Sequence, residues 1–243
     1  SRKRRQQREE ESQITSLLQR LVLPHAVNYS KLVVWPGRYV WRLAIDIVVL
    51  RCDGCLLDAC SIALREGLCN TKLPKVQAVM GNENNNGNGG SGGASSKNDL
   101  MVDGDYKMAT PPEGASACPL VVTVSVLSAH PMLVSSSDDK KKKRHRSITI
   151  IDARTEEEAC AISRVCVSVD TNGMVCGVHT LGGGGGGGGA LEDDNSITSS
   201  MPLNMLGDIV SSAAIASKNL YKLLNGDFSN KKISNMKVQT TVD

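Results

Sequence analysis

The pair Cys52 and Cys55, separated by two residues, forms the most reactive pattern in the chain. Such a pair could supply half of a zinc site or act as a thiol–disulfide couple where a strand leads into a helix. A zinc site needs two more ligands at a suitable spacing, and neither a second such cysteine pair nor a spaced histidine pair follows. We favour a strand-to-helix turn that contains two cysteines, with the redox motif as the alternative.

Three consecutive carboxylates, Glu156, Glu157 and Glu158, could bind a metal or carry out acid–base chemistry. Carboxylates also suit the first turn of a helix, where the helix dipole favours negative charge, and we interpret them as a helix start. The four histidines are scattered and give no protease pattern. The eight consecutive glycines at 182–189 lack the Lys-Ser/Thr pair of a phosphate-binding loop, so they indicate low complexity.

The composition excludes some classes of nucleic-acid-binding protein. Only 3% of the 243 residues are aromatic. Proteins that grip single-stranded nucleic acid often stack its bases on aromatic side chains. The sequence therefore argues against a stacking-based binder of the RNA-recognition-motif or cold-shock type.

The net charge of +3 is unevenly distributed along the chain. Residues 1–8 hold five Lys/Arg and residues 140–146 hold six, with no acidic residue in either run. The rest of the chain carries 17 basic and 25 acidic residues and is therefore acidic. Basic runs of this kind are typical of solvated tails or loops, and they also occur in nuclear-import and nucleic-acid-binding segments.

The eight cysteines lie mostly inside apolar runs, as expected for reduced cysteines in a protein core. No apolar segment follows the basic N-terminus, so the sequence predicts no signal peptide and a reducing compartment. No apolar run reaches the length of a membrane-spanning helix, because charged residues interrupt the longest one. Since the first residue is Ser1, we expect a fragment or a processed product.

The reactive residues are carried on a predicted α/β or α+β chain. Apolar residues recur at helical spacing in three segments and alternate or run continuously in seven others. The strand predicted at 39–50 is apolar on both faces and is therefore expected to be central in a sheet. Asn172 and Gly173 predict a hairpin turn, and Asn204 can cap the last helix. The predicted helices are 12–23, 56–69 and a helix that begins near residue 204; the predicted strands are 31–35, 39–50, 72–80, 120–127, 147–152, 165–169 and 174–179.

Three segments are too polar and glycine-rich to pack a core and are predicted to be disordered insertions: 81–117, 135–146 and 182–200. The basic and acidic stretch 1–11 and the tail 225–243 are predicted to be disordered as well. What remains is enough for one modest domain or two small pieces.

Four strings of sequence carry a resemblance to a known family. They are WRLAIDIVVLRCDGCLLDACSIAL at 41–64, LPKV at 73–76, CPLVVTV at 118–124 and IDARTEEEAC at 151–160. In this order they resemble the RNase PH family, and most of all a non-catalytic ring subunit of the RNA exosome. Several collinear matches are more specific than any single motif.

The resemblance implies an RNase PH-like fold of the ribosomal protein S5 domain 2-like type. Residues 12–80 would then form the C-terminal part of the first domain, and residues 118–224 would form the second domain. The first domain of the family normally begins with several strands before its helix. The resemblance therefore also implies an incomplete, N-terminally truncated first domain.

The resemblance further implies that two chemical centres are degenerate. In active members the phosphate-binding turn reads Asp-Gly-Gly-Thr-Arg-Thr-Ala, whereas this chain has Leu56, Leu57 and Asp58 where the anion would be held. Active members also carry two Asp six residues apart after the acidic run. Glu158 and Arg164 occupy those places here, so the resemblance implies no catalytic residue.

The same resemblance makes Arg20 a candidate for RNA contact, because similar subunits present an Arg to RNA from this helix. The alternative is that Arg20 is an ordinary solvated residue. Arg42 and Arg65 are weaker candidates and are expected to be surface or ring-contact charges.

The function implied by the resemblance is scaffolding and RNA channelling within a hetero-oligomeric exosome ring. Such a subunit supports 3′-to-5′ RNA processing and degradation, including rRNA maturation and mRNA turnover. The expected partners are other RNase PH-like ring subunits and RNA, with no membrane, metal or cofactor, in the nucleus, the nucleolus and the cytoplasm. Two alternatives stay open: an active phosphate-dependent 3′–5′ exoribonuclease, and a non-functional gene fragment.

Overall fold

The structure, a computed structural model, describes residues 2–80, 98–128, 147–182 and 203–226. The chain divides into two compact units, of which the first comprises Ser1–Cys52 and Leu56–Pro119. The second comprises Asp53–Cys55 and Leu120–Asp243. The predicted insertion 135–146 lies outside the described residues, as do 81–97 and the tail from 227 onwards. Of the predicted insertion 182–200, Gly182 ends strand β8 and the rest lies outside the described residues.

The described residues form a mixed α/β chain, as predicted. Three sheets are present among them, two of two strands each and one of four strands. The elements in chain order are α1 (Arg2–Leu21), β1 (Val33–Trp35), β2 (Tyr39–Val40), α2 (Leu56–Asn70), β3 (Val76–Met80), β4 (Asn98–Val102), β5 (Leu120–Ser128), β6 (Ser147–Ile151), α3 (Thr155–Cys160), β7 (Ser163–Val169), β8 (Val175–Gly182) and α4 (Leu203–Leu224). None of the described helices is long and apolar enough to cross a membrane.

The first helix begins ten residues earlier than the sequence predicted, so the expectation of a disordered tail at 1–11 is wrong. Arg5 forms an ion pair with Glu9 at 2.9 Å, and Gln7 donates a hydrogen bond to Glu11 at 2.9 Å. Pairs at this four-residue spacing can stabilise the exposed first turns of a helix, which an apolar-periodicity argument overlooks. The apolar residues of α1 are buried only in its last turns.

Helix α2 forms as predicted, because its apolar side chains recur on one face. Leu57, Cys60, Leu64 and Leu68 are all buried there. The N-terminal end of this helix follows the turn that contains Cys55. The fold therefore places Leu56, Leu57 and Asp58 in the first helical turn after Gly54 and Cys55.

The predicted strand 39–50 is wrong beyond its first two residues, since only Tyr39–Val40 pairs as β2. The Trp41 N–H still donates to the Leu32 carbonyl at 2.8 Å. A strand needs a neighbouring backbone along its length, and β1 is too short to supply one. Within the described part of the chain, residues 42–50 belong to no helix or strand.

The predicted disordered insertion 81–117 is wrong in its second part. Strand β4 pairs antiparallel with β3, with Ala78 opposite Leu100. Thr110 forms a bridge with Leu73, and the Asn28 N–H donates to the Glu113 carbonyl at 2.7 Å. The composition changes at this point, because the glycine- and asparagine-rich sequence gives way to apolar residues able to form a strand.

The second unit contains a four-stranded antiparallel sheet in the order β6-β5-β7-β8. One face of the sheet presents alternating valines of β5 and β7, which are at most 2% exposed. Ile209 and Ala213 of α4 pack on these valines. The Tyr221 hydroxyl donates to the Val169 carbonyl at 3.0 Å and ties the end of α4 to the sheet.

The predicted hairpin at Asn172 and Gly173 is confirmed. Gly173 has a φ of +82°, which a side chain would disfavour. The Asp170 carboxylate accepts the N–H of Asn172 at 2.9 Å and that of Met174 at 2.8 Å. This turn fixes the register of β7 and β8 and therefore the position of Arg164 near the other end of β7.

Candidate functional site

The turn Asp53–Cys55 folds against the connection between β6 and α3 in the second unit. Gly54 has a φ of +108°, and an ideal Cβ at this position would lie 2.2 Å from the Ala153 carbonyl oxygen. Cys55 is buried, and its thiol donates to the same oxygen at 3.5 Å. Only glycine permits this close approach of two backbone segments.

The three glutamates of α3 have different roles. Glu156 is exposed to solvent. The Glu157 carboxylate accepts the Arg154 N–H at 2.8 Å and so caps the first turn of the helix. The predicted helix start is thereby confirmed, and only Glu158 is left to take part in a site.

Glu158 connects the turn to the sheet through both of its carboxylate oxygens. Oε1 accepts the backbone N–H of Cys55 at 3.1 Å. Oε2 lies 3.5 Å from Nη1 of Arg164, and the two side chains are 18% and 26% exposed. The structure therefore brings together the two positions that the resemblance to active enzymes singled out.

The arrangement neutralises the carboxylate. A general base or acid needs a carboxyl group that is free to exchange a proton with substrate. Here Arg164 compensates the charge of Glu158, and the Cys55 N–H holds the other oxygen. The Nε of Arg164 is buried without a hydrogen-bond acceptor. Among the described residues, no three His, Cys, Asp or Glu side chains lie close enough together to hold a metal ion.

The positions predicted for a degenerate phosphate site lie in the first turn of α2. Leu57 is 6% exposed and belongs to the core of the first unit. Leu56 and Asp58 are partly buried, and the Asp58 carbonyl accepts the Ser61 hydroxyl at 2.7 Å. Leucine side chains offer no hydrogen bond to an anion, and Asp58 would repel one.

The three candidate arginines differ in exposure. Arg20 lies in the last turn of α1 and is exposed, as a nucleic-acid contact requires. Arg42 is also exposed. The expectation that Arg65 is a surface charge is wrong, because it is 3% exposed, pairs with Glu66 and donates to the Ser116 carbonyl at 3.3 Å. A long side chain can be buried when its charged end is paired, which sequence alone does not reveal.

The two cysteines of the pair differ in exposure. Cys52 is exposed, whereas Cys55 is buried. In the first unit, burial raises the pKa of the Cys60 thiol, and the neighbouring Cys52 raises it further. A raised pKa keeps a thiol protonated near neutral pH and lowers its nucleophilicity. The predicted strand-to-helix turn is wrong in its first part, because irregular backbone and not a strand leads through Cys52 and Cys55 into α2.

Two backbone groups of this site, the Cys55 N–H and the Ala153 carbonyl, could not be predicted from the sequence. Backbone groups leave no signature of their own in a sequence. Gly54 was the available signal, since a glycine before a helix indicates a turn with a positive φ or a close backbone approach.

Comparison with known families decides the classification of this chain. Residues 1–74 match the model of the 3′ exoribonuclease family, domain 1, named RNase PH. In this segment the chain is similar to the first domain of the RNase PH family. The RNase PH match includes α1, α2 and the turn Asp53–Cys55 that holds the Glu158 carboxylate.

Similar proteins include the exosome complex component Rrp42 of Sulfurisphaera tokodaii, 52% identical over 52 residues. These residues cover 21% of this chain and 19% of that protein. An RRP42 protein of Dictyostelium discoideum, named an exosome complex exonuclease, is 27% identical over 146 residues. That match covers 60% of this chain and 36% of the relative, so the chain spans less than half of the length of these relatives.

A solved structure, an archaeal exosome core, shares the fold with a TM-score of 0.53 at 18% sequence identity. The match covers 89% of this chain and 64% of that chain. At this identity the likeness shows the fold alone. The mixed α/β fold found here is therefore similar to that of a chain of an archaeal exosome core.

Replacing Glu158 tests whether its side chain links the turn Asp53–Cys55 to strand β7 of the sheet. Glu158→Gln keeps an acceptor for the Cys55 N–H but removes the charge that faces Arg164. We expect the free energy of unfolding to fall by about 1–2 kcal/mol, because a partly buried guanidinium is left uncompensated. Urea unfolding followed by circular dichroism measures the change.

Glu156→Gln is the matched control, since Glu156 is exposed on the same short helix. We expect this control to change the free energy of unfolding by less than about 0.5 kcal/mol. Equal effects of the two substitutions would contradict the bridging role of Glu158.

Proposed function

We propose that this chain is a non-catalytic, Rrp42-like ring subunit of an RNA exosome. The observation that carries the proposal is the ion pair between Glu158 and Arg164, at 3.5 Å, in the place where active RNase PH-type enzymes carry two aspartates. Membership of an exosome is inferred from the relatives that are named exosome complex components. The chain then acts by shaping the ring and holding RNA for nucleases on the same complex.

The chemistry of phosphorolysis explains why the ion pair matters. An attacking phosphate must be oriented and its charge compensated, and the leaving oxygen must receive a proton. Leu57 is buried where the family holds the anion, and Glu158 is already neutralised by Arg164. The burial of Leu57 and the ion pair of Glu158 therefore support a non-catalytic role.

The proposed role in RNA processing depends on positive charge that remains accessible. Arg20 is exposed at the C-terminal end of α1. Its guanidinium group can donate hydrogen bonds to the phosphates of RNA. We include rRNA maturation and mRNA turnover in the proposal, with the nucleus, the nucleolus and the cytoplasm as the sites of action. These processes and locations are proposed because the chain is proposed to be an exosome subunit, and they would be abandoned together with that proposal.

A phosphorolysis assay tests the catalytic part of the proposal. We expect the purified chain, incubated with a single-stranded RNA, to release no nucleoside diphosphates with or without inorganic phosphate. Thin-layer chromatography of end-labelled RNA measures the products, and an active RNase PH enzyme is the positive control. Phosphate-dependent release of nucleoside diphosphates would contradict the proposal and favour the alternative of an active exoribonuclease.

A further inference from the structure

Two cysteines of the first unit, Cys52 and Cys60, line the same cavity. This cavity has a volume of about 660 Å³. Leu56, Cys60 and Leu64 of α2 contribute to its wall at the four-residue spacing of one helix face. Cys52 lies in the irregular backbone before α2 and contributes to the wall as well. The two cysteines therefore border one common space.

The electrostatics of Cys60 give a second sign that the two thiols lie close together. Burial raises the pKa of the Cys60 thiol, and Cys52 raises it further. One thiolate has this effect on another because like charges at short range disfavour the charged form. The shared cavity and the charge effect therefore agree that Cys52 and Cys60 are neighbours.

The two thiols differ in what can reach them from solution. Cys52 is exposed, whereas Cys60 is only 5% exposed. A dissolved disulfide compound therefore meets Cys52 first. Cys60 can react only in a second step within the molecule, once Cys52 has been modified.

Cys55 is the partner that the spacing in the sequence suggests for Cys52, but its thiol is already engaged. It donates to the Ala153 carbonyl oxygen at 3.5 Å within the second unit. The Cys55 N–H also bonds to the Glu158 carboxylate at 3.1 Å. The backbone of Cys55 has a φ of +45°, which residues with a side chain adopt infrequently. A bridge from Cys52 to Cys55 would take its thiol away from the Ala153 carbonyl, whereas a bridge to Cys60 involves neither of these bonds.

We propose that Cys52 and Cys60 form a reversible disulfide when the chain meets a low-molecular-weight disulfide such as oxidised glutathione. The Cys52 thiolate attacks one sulfur of oxidised glutathione, so that a mixed disulfide forms and one glutathione thiolate leaves. The Cys60 thiol then gives its proton to solvent and attacks the Cys52 sulfur, and the second glutathione leaves as a thiolate. The two cysteines are oxidised, and one molecule of oxidised glutathione is reduced to two molecules of glutathione.

The proposed bridge closes a short loop that contains the turn Asp53–Cys55. Through the Cys55 N–H this turn holds the Glu158 carboxylate. A cross-link restricts the conformations open to the loop that it closes. The redox state of Cys52 and Cys60 would thereby control how readily the turn opens.

Peptide mapping of the oxidised chain tests the pairing. The purified full chain is equilibrated with glutathione buffers of increasing oxidised fraction, and the remaining thiols are blocked with iodoacetamide. Cleavage before Asp53 and Asp58 places the three cysteines 52, 55 and 60 on separate peptides. We expect mass spectrometry without reduction to find the peptide of Cys52 joined to that of Cys60. Fragmentation of the joined peptides distinguishes Cys60 from Cys69, which lies on the same peptide.

Several outcomes of the mapping would overturn the proposal. A bond from Cys52 to Cys55, to any other cysteine of the chain or to a second copy would do so. A mixed disulfide with glutathione that persists at Cys52 while Cys60 is alkylated would do so too. A Cys52 thiol that stays reduced at every buffer composition would have the same meaning.

Two variants separate the candidate partners of Cys52. With Cys60→Ala the reaction should stop at the mixed disulfide, and the yield of intramolecular bond to Cys52 should fall at least about tenfold. Cys55→Ser is the matched control, because a serine hydroxyl can still donate to the Ala153 carbonyl. Its yield of the bond between Cys52 and Cys60 should stay within about twofold of the original chain. Loss of the bond in the Cys55→Ser variant would contradict the assignment.

The proposed disulfide is independent of the proposed exosome role. None of these measurements involves RNA or another subunit. A failure to form the disulfide would leave the exosome proposal untouched, and failure of the exosome proposal would leave the disulfide standing.

Discussion

Gly54→Ala should be among the most destabilising single substitutions in the second unit. The added Cβ would lie 2.2 Å from the Ala153 carbonyl oxygen and 2.9 Å from the Arg154 carbonyl carbon, both of which are backbone atoms. The φ of +108° is also unfavourable for any residue with a side chain. We expect the free energy of unfolding to fall by about 3 kcal/mol or more, as measured by urea unfolding.

Gly173→Ala is the matched control, because it introduces the strain of a positive φ without a steric clash. Gly173 also has a positive φ, of +82°, but a Cβ there would meet nothing within 4 Å. Strain alone should cost about 1–2 kcal/mol. If both substitutions destabilise the chain equally, the close approach of the turn at Gly54 to Ala153 is contradicted.

Ile209→Ala should produce a loss of similar size in the core of the second unit. Ile209 is 1% exposed and packs on the valines of β5 and β7. Truncating a buried isoleucine removes apolar contacts and leaves a cavity, which typically costs 2–5 kcal/mol. We expect a decrease of about 3 kcal/mol in the free energy of unfolding, with the midpoint of urea denaturation as the measurement.

Ile215→Ala on the same helix is the control. Ile215 is 65% exposed, so its truncation removes little packing. The change should stay within about 0.5 kcal/mol, because surface substitutions away from special features have small effects. Comparable losses at the two positions would show that α4 does not cover the sheet through Ile209.

The periodic elements were predictable from sequence because local pattern and tertiary packing agree in them. Helix α2 and strand β7 each bury the residues that the pattern marks as apolar. The segment 39–50 has an equally strong strand pattern, yet only Tyr39–Val40 pairs. A strand is completed by its neighbours, and the pattern of one segment does not tell whether neighbours exist.

The candidate site was likewise only partly predictable from the sequence. The positions of Glu158 and Arg164 follow from the resemblance to a known family, and the structure brings them to 3.5 Å. The part played by the Cys55 N–H could not be read from residue types, because every residue except proline carries that donor. The burial of Arg65 depends on a carbonyl 51 residues away, which is a property of the fold alone.

The central claim is that this chain is a structural component of an exosome ring. The most direct measurement is native mass spectrometry of the chain co-expressed with RNase PH-like exosome subunits of the same source. We expect a hetero-oligomer that contains this chain and at least one other RNase PH-like subunit. Quantitative recovery of the chain in species that contain none of those subunits would contradict it.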